Sequence, residues 1–197
     1  MSAAQSAPAE SAFPAILTWR AHDVPRMESV RVQLTNNRIK AYGRIVAAAT
    51  KSHPAFSASY DLNTDETGAT KRLSITVTLA ERERQLSIAR DEESMWLVQD
   101  HQSSRREAFE GALDVDMVLS PFFNALPIRR TGIYRTTETI EVPVVYVRLP
   151  EFSVELETIT YANDGSTVTL KSPVADTAVT VDDNGFILEY PGLAERI

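Results

Sequence analysis

Residues 114–130, with the sequence DVDMVLSPFFNALPIRR, hold the densest group of side chains that could bind or transform a ligand. Asp114 and Asp116 stand two positions apart, so on a β-strand both carboxylates lie on one face. Paired carboxylates can hold a divalent cation, raise one another's pKa, or pair with nearby arginines. Ion pairing is favoured over a metal, because no histidine or further acid stands at ligand spacing and hard cations prefer six or more oxygen ligands.

Two arginines close the same segment. If residues 127–133 form a strand, Arg129 and Arg130 point to opposite faces of it, and only one of them can pair with the acids. The spacing therefore predicts one structural arginine and one arginine that faces a ligand.

The middle of the segment is interrupted by Pro121 and Pro127, so it is expected to be a loop. Phe122 and Phe123 in this loop either belong to the core or line an apolar pocket, and burial in the core is favoured. Asn124 either closes a turn through its side chain or contacts a ligand, and turn closure is favoured.

Tyrosines outside this segment could add an aromatic lining, although each one taken singly is more typical of the core of a sheet. Tyr146 and Tyr161 are the two candidates, one in each of two predicted strands that follow the segment. The candidate ligand-binding residues are therefore Asp114, Asp116, Phe122, Asn124, Arg129, Arg130, Tyr146 and Tyr161.

Sequence signatures of catalysis are absent. There is no GxSxG elbow, GxGxxG turn, Walker loop or SxxK motif, and the lack of cysteine excludes disulfides, thiolate metal sites and iron–sulfur clusters. We predict no catalytic residue, no metal site and no cofactor. Whether the chain is an enzyme stays open, and a non-catalytic function is favoured.

The elements that must position these residues are strands. Val30, Val32 and Leu34 alternate with polar residues, which predicts a strand with one buried face, and Asn36 and Asn37 then form a turn. Similar alternating segments, separated by turn residues, follow along most of the chain. The pattern predicts a mainly β fold with little helix.

A polar stretch over residues 101–111 could form at most a short helix and is predicted to be a hinge. On each side of it, a tyrosine is followed by a turn, a threonine-rich strand and an acidic turn. We hypothesise that residues 15–197 form a single domain of antiparallel sheet built from two similar halves, at about residues 15–100 and 112–197.

One strand is expected to be an edge strand or to carry a bulge. Pro143 lies inside an apolar run, where it cannot donate a hydrogen bond to a neighbouring strand. An uncovered edge could also pair two copies of the chain as a homodimer.

Charge and terminal composition limit the partners and the location. The net charge of −7 disfavours the phosphate contacts of a nucleic-acid-binding protein. No run of apolar residues is long enough to span a membrane as a helix. Residues 1–14 lack the basic and apolar regions of a secretory signal and are predicted to be a disordered tail, which favours a cytoplasmic location.

Three runs give the chain a family resemblance: residues 114–130, VPVVYVRLPEF and the final VDDNGFILEYPGL. Together they resemble a bacterial family of proposed glycolipid-binding proteins, from Trp19 onward. The resemblance implies a curved antiparallel sheet of half-barrel shape, similar to lipoprotein carriers, with a concave apolar face for an acyl-bearing molecule. The residues at positions characteristic of the family are Glu28, Asp114, Asp116, Pro121, Asn124, Leu126, Pro127, Ile128, Arg129 and Arg130.

Three functions follow, in order of preference. The first is a non-catalytic protein that binds a glycolipid or another amphiphile, with an arginine at an anionic or sugar head group. The second is a structural or regulatory protein-interaction module with a filled sheet interior. The third is a hydrolase or transferase that uses Asp114 or Asp116.

Overall fold

The computed structural model describes residues 13–197 and shows a mainly β fold, as predicted. Fifteen strands form one curved sheet that does not close. The strands are β1 Ala15–Ala21, β2 Arg26–Thr35, β3 Arg38–Ala47, β4 Phe56–Thr64, β5 Thr70–Thr78, β6 Glu83–Arg90, β7 Trp96–Asp100, β8 Ser104–Glu107, β9 Asp114–Met117, β10 Thr139–Arg148, β11 Ser153–Asn163, β12 Val168–Ser172, β13 Ala175–Val181, β14 Ile187–Tyr190 and β15 Ala194–Arg196.

Two meanders make up the sheet. Strands β1 to β8 follow one another outward from the centre on one side, and β15 back to β9 do so on the other. The meanders meet where β1 pairs with β15, and every neighbouring pair is antiparallel except β9 with β10. The hairpin from β2 to β3 has the predicted two-residue turn, since Thr35 pairs with Arg38. A common origin of the two halves stays a prediction.

The buried residues form two clusters, and the outer strands of the second meander separate them. In β9 and in the adjoining part of β10, side chains are buried on both faces. Odd-numbered residues such as Val115 and Val145 pack with the first meander, whereas Val144 and Tyr146 pack with the second. This arrangement follows from the alternation of side chains along a strand.

The sequence-based prediction is wrong for residues 121–133, because an α-helix, α1 (Pro121–Thr131), replaces both the expected loop and the expected strand. Pro121 occupies the first turn, where a proline costs no hydrogen bond. Gly132 ends the helix with φ of 71° and donates its N–H to the carbonyls of Ile128 and Arg129. Residues 121–128 are all buried, so the helix lacks the one-sided pattern that reveals most helices.

Helix α1 fills the concave side of the first meander. Phe122 and Phe123 are buried there, which confirms the prediction that they belong to the core, and Leu126 is buried with them. The Phe122 ring lies 6.1 Å from that of Tyr60 and 6.2 Å from that of Phe186, centroid to centroid. The concave face that the resemblance assigns to an acyl chain is therefore occupied by the chain's own side chains.

Side chains from the first meander hold the hairpin between β10 and β11. Arg84 donates a 2.8 Å hydrogen bond to the carbonyl of Glu151, and Arg105 donates another to the carbonyl of Val154. The predicted hinge near residues 101–111 contains β8 and a 3-10 turn, Phe109–Gly111. A second 3-10 turn, Ile133–Arg135, follows α1.

Pro143 lies in β10, and β9 pairs with β10 only from Val144 to Val147. Among the described residues, Pro143 therefore has a strand partner on one side only, in agreement with the expected edge position. Residues 1–12 of the predicted tail lie outside the described part of the chain. Phe13, which the prediction places in that tail, packs 5.5 Å from the Phe186 ring.

Candidate functional site

The most unusual side chain in the interior is the carboxyl group of Asp116. It is 3% exposed and stands in β9, where Asp116 pairs with Tyr146 of the parallel strand β10. Asn124 of α1 donates a 3.2 Å hydrogen bond to its Oδ2. No cation lies within ion-pair distance among the described residues. A buried acid without a counter-ion favours its neutral form.

Burial above all, and to a smaller extent the nearby carboxyl of Asp114, raises the pKa of Asp116 to about 7, against hydrogen bonds from the backbone of Met117 and from Asn124. Three tyrosines surround this acid. Burial and then the charge of Asp116 raise the pKa of Tyr146 to about 12, and the pKa values of Tyr161 and Tyr190 well above their usual range. At neutral pH all three phenols are therefore neutral hydrogen-bonding groups.

A cavity of about 490 Å³ opens onto this group of side chains. Its polar lining includes Asp116, Asn124, Tyr146 and Tyr190. The remaining lining residues are mostly apolar or small, and they are Met117, Val118, Leu119, Ser120, Ser172, Val174, Ala175, Asp176, Thr177, Pro191, Gly192 and Leu193. We call this the Asp116 cavity. Its volume is within the usual range for ligand pockets, ~300–1,000 Å³.

Two tight turns supply part of the apolar wall, and β9 with the segment after it supplies Met117, Val118 and Leu119. In the first, Leu193 donates its N–H to the carbonyl of Tyr190, with Pro191 and Gly192 between them and φ of 77° at the glycine. Proline followed by a glycine of positive φ is typical of a type II turn. The second turn joins β12 to β13 and leaves Val174 58% exposed at the edge of the cavity.

A second buried acid lies behind the wall of the Asp116 cavity. Glu28 of β2 is 2% exposed and accepts hydrogen bonds of 2.5 Å from Ser120 and 2.7 Å from the hydroxyl of Tyr60. Burial raises its pKa to about 7, against these hydrogen bonds. Ser120 is the residue before α1, and its hydroxyl binds Glu28 instead of capping the helix.

The comparisons with known proteins agree with the fold. The model of a family described as "Putative glycolipid-binding" matches residues 16–196. The chain belongs to this family. It is also similar to the crystal structure of a DUF1089 family protein from Pseudomonas aeruginosa, with 24% identity, a TM-score of 0.71, and coverage of 91% of this chain and 95% of that one. At this identity the likeness shows the fold alone, and no curated protein matches.

Within this member of the glycolipid-binding family, the structure brings together only part of the predicted site. Asp116, Asn124 and Tyr146 line the cavity. Tyr161 is fully buried close behind them, and its hydroxyl has no hydrogen-bond partner among residues 13–197. These four side chains stay candidates for ligand binding.

The other four predicted residues stand apart from the cavity lining. Arg130 forms an ion pair with the fully buried Asp114, with 2.7 Å between Nη2 and Oδ2, as the preference for ion pairing predicted. The same prediction is wrong for Asp116, which accepts a hydrogen bond from Asn124 and has no ion-pair partner within residues 13–197. Arg129 lies over the ring of Phe186, with 4.6 Å from its Cζ to the ring centroid. Phe122 is part of the core. The two arginines are not on opposite faces of a strand, because they are consecutive residues of a helix.

Sequence reasoning missed Tyr190 and the turn that follows it as parts of the site. The Tyr-Pro-Gly sequence at residues 190–192 is a turn signal, but nothing local indicates that the turn meets β9. No local sequence pattern indicated Glu28, and only the family resemblance pointed to it. Its burial depends on Tyr60 and Ser120, which are distant in sequence.

The Asp116 cavity offers hydrogen-bonding groups next to apolar surface: an acid with a pKa of about 7, an amide and two neutral phenols, with the exposed Asp176 also in the lining. Among the described residues, none that lines it is basic. No three acidic or histidine side chains converge in residues 13–197 to hold a metal ion. No helix within the same residues has the length and apolarity needed to cross a bilayer.

Proposed function

We propose that the chain binds an amphiphile and that the hydroxyl-bearing head of this ligand occupies the Asp116 cavity. The observation that carries the proposal is the grouping of one buried acid, one amide and two phenols on one side of a cavity with mainly apolar walls. Convergent hydrogen-bond donors and acceptors match the hydroxyl groups of a sugar. The family description is consistent with this class of ligand.

The apolar part of the ligand has a different location in this proposal from the one that the resemblance implies. Because α1 fills the concave face of the first meander, the acyl part would lie against Val118, Leu119 and Leu193. Val174 at the edge would extend this surface toward solvent. Such contact contributes about 25 cal/mol per Å² of apolar surface removed from water.

The test begins with the purified protein and an alkyl glycoside, octyl glucoside, titrated by calorimetry below its micelle concentration. Tyr190→Phe removes one hydroxyl and keeps the ring, so we expect the Kd to rise roughly threefold to tenfold. Tyr134→Phe is the matched control, because Tyr134 does not line this cavity. An equal effect of both variants, or no binding by the wild-type protein, would overturn the proposal.

A second experiment identifies the natural ligand. The protein is purified from its native host, extracted with organic solvent, and the retained molecules are identified by mass spectrometry. We expect one class of hydroxylated amphiphile, retained by Tyr134→Phe and lost from Asp116→Asn. Retention by Asp116→Asn at the wild-type level would place the ligand elsewhere in the fold.

One observation favours a second candidate, a hydrolase. A pKa of about 7 suits a general acid, and Asp116 has both this pKa and access to the cavity. Asp114 lacks that access, since it is fully buried and paired with Arg130. The test is hydrolysis of a chromogenic glycoside. If the wild-type protein hydrolyses it, and Asp116→Asn binds it but no longer does so, the protein is a hydrolase and not only a binding protein.

A further inference from the structure

Arg26 is a buried cation without a buried counter-ion. It stands at the start of β2, is 8% exposed, and donates one 3.2 Å hydrogen bond from Nη2 to the carbonyl of Leu193. Among residues 13–197, no carboxylate lies within ion-pair distance of its guanidinium. A buried charge in this situation is costly unless an anion joins it.

The nearest acid on the same strand does not balance this charge. Burial lowers the pKa of Arg26, and the carboxyl of Glu28 raises it only in part. Glu28 is itself held toward its neutral form, with a pKa raised to about 7 by burial. Within residues 13–197, Arg26 therefore has no ion-pair partner, and its one side-chain hydrogen bond goes to a neutral carbonyl.

Arg26 lines a second cavity, of about 500 Å³, together with two further basic residues. Lys51 is exposed, and His53 is half-buried. Nδ1 of His53 donates a 2.8 Å hydrogen bond to the carbonyl of Pro54, which leaves Nε2 for another partner. Asp23 is the one acid among the lining residues, so the excess charge of the cavity is positive. We call this the Arg26 cavity.

The two cavities share a wall. Leu119, Gly192 and Leu193 line both the Asp116 cavity and the Arg26 cavity. The turn that positions Tyr190 in the first cavity also presents the Leu193 carbonyl that fixes Arg26 in the second. A single ligand could therefore extend from one cavity into the other over these residues.

We propose that the Arg26 cavity binds a phosphate group, carried by a ligand whose hydroxyl-bearing part occupies the Asp116 cavity. The link between the two cavities rests on the proposed function, whereas the phosphate site can be tested alone. Arg26 supplies a fixed fork of donors, and Lys51 supplies a flexible point charge at the exposed side. The ligand class is then an organic phosphate with a hydroxylated body, either free or as the head group of an amphiphile.

The test titrates inorganic phosphate into the full-length protein at low ionic strength by calorimetry. Arg26→Gln removes the buried charge, and we expect the Kd to rise by about thirtyfold or more. Because this variant could fold poorly, Lys51→Gln is measured as well, with an expected rise of about twofold to fivefold. Lys71→Gln, an exposed lysine of β5, is the matched control and should leave the Kd unchanged.

Two further titrations identify the source of the phosphate. One uses glucose 6-phosphate, and the other uses phosphatidylcholine vesicles with and without phosphatidic acid. Tighter binding of the sugar phosphate indicates a soluble ligand, and binding only to vesicles with phosphatidic acid indicates a lipid head group. Absence of binding to all three phosphates, or equal losses in Lys51→Gln and Lys71→Gln, would overturn the phosphate site.

The outcome stays separate from that of the proposed function, because the neutral octyl glucoside reports on the Asp116 cavity alone. Glycoside binding without phosphate binding would overturn only the phosphate site in the Arg26 cavity. Phosphate binding without glycoside binding would support the Arg26 cavity as an anion site. It would overturn the proposal that the Asp116 cavity binds a hydroxyl-bearing head group. Added salt should weaken phosphate binding and leave glycoside binding nearly constant.

Discussion

The hydroxyl of Tyr60 donates a 2.7 Å hydrogen bond to Glu28 across strand β3. Tyr60 and Glu28 stand on β4 and β2, and Gly43 of β3 is the register partner of Tyr60. A Cβ atom at Gly43 would lie 2.0 Å from Cζ of the Tyr60 ring. The glycine is therefore required so that the ring can cross its strand and reach the buried acid.

This relationship predicts the effect of Gly43→Ala. The methyl group displaces the Tyr60 ring and leaves Glu28 with one fewer donor, so the free energy of unfolding should fall by at least about 2 kcal/mol. Urea unfolding measures this loss. Arg44→Ala, at the exposed neighbour in β3, is the control and should change stability by less than ~0.5 kcal/mol. Similar losses of unfolding free energy in both variants would contradict the passage of the Tyr60 ring over β3 at Gly43.

The two buried acids predict an unusual dependence of stability on pH. Glu28 and Asp116 have pKa values raised to about 7 from ordinary values of 4.5 and 3.8. Between about pH 4.5 and 7 the unfolded chain releases these protons while the folded chain keeps them, so stability decreases as pH rises. Each acid contributes up to about 1.4 kcal/mol per pH unit.

Urea unfolding across this pH range measures the slope, and Glu28→Gln should reduce it. Surface acids with lowered pKa values, such as Asp164 at about 2, have finished titrating below this range. Asp61→Asn is the control, because it removes an acid that is only half-buried on β4. Stability that increases from pH 5 to pH 7 would indicate ionised, well-solvated acids instead.

The ion pair between Asp114 and Arg130 predicts a large cost for removing either partner alone. Asp114 is fully buried, so Arg130→Ala leaves its charge without a counter-ion and should cost about 3–5 kcal/mol. Arg106→Ala is the control, since Arg106 pairs with Asp91 at an exposed position where water screens both charges, and its loss should cost far less. Urea unfolding at neutral pH compares the two, and equal costs would mean that water reaches Asp114.

The strands could be predicted from the sequence because one face of most of them is exposed. In β2, β3 and β4, buried residues alternate with exposed or half-buried ones, so the period of two is visible. Helix α1 could not be predicted in the same way, because residues 121–128 are all buried and Pro127 lies inside the helix. The period of a helix shows only where one side faces water.

The candidate site was predictable for Asp116, Asn124 and Tyr146, and not for Tyr190 and Arg26. Asp116 and Asn124 lie within one short segment of unusual composition, which made them conspicuous. Tyr190 and Arg26 reach their positions through the pairing of β1 with β15 and through the turn before β15. Such long-range pairing has no local signal in a single sequence.

The aromatic contacts of Phe122 indicate that α1 is a permanent part of the core. Phe122 contacts four other rings, those of Trp19, Tyr60, Phe123 and Phe186. If α1 is an integral part of the core, Phe122→Ala should lower the free energy of unfolding by about 3–5 kcal/mol. The variant should also bind benzene in the resulting apolar cavity, as dry engineered cavities do.

Phe13→Ala provides the comparison, because Phe13 is only half-buried and contacts the ring of Phe186 alone among the aromatic rings. Its loss should cost about 1 kcal/mol by the area of apolar surface involved. A small cost for Phe122→Ala, similar to that of Phe13→Ala, would mean that α1 leaves the concave face easily. The acyl part of a ligand would then have access to that face, and the Asp116 cavity would hold only its head group.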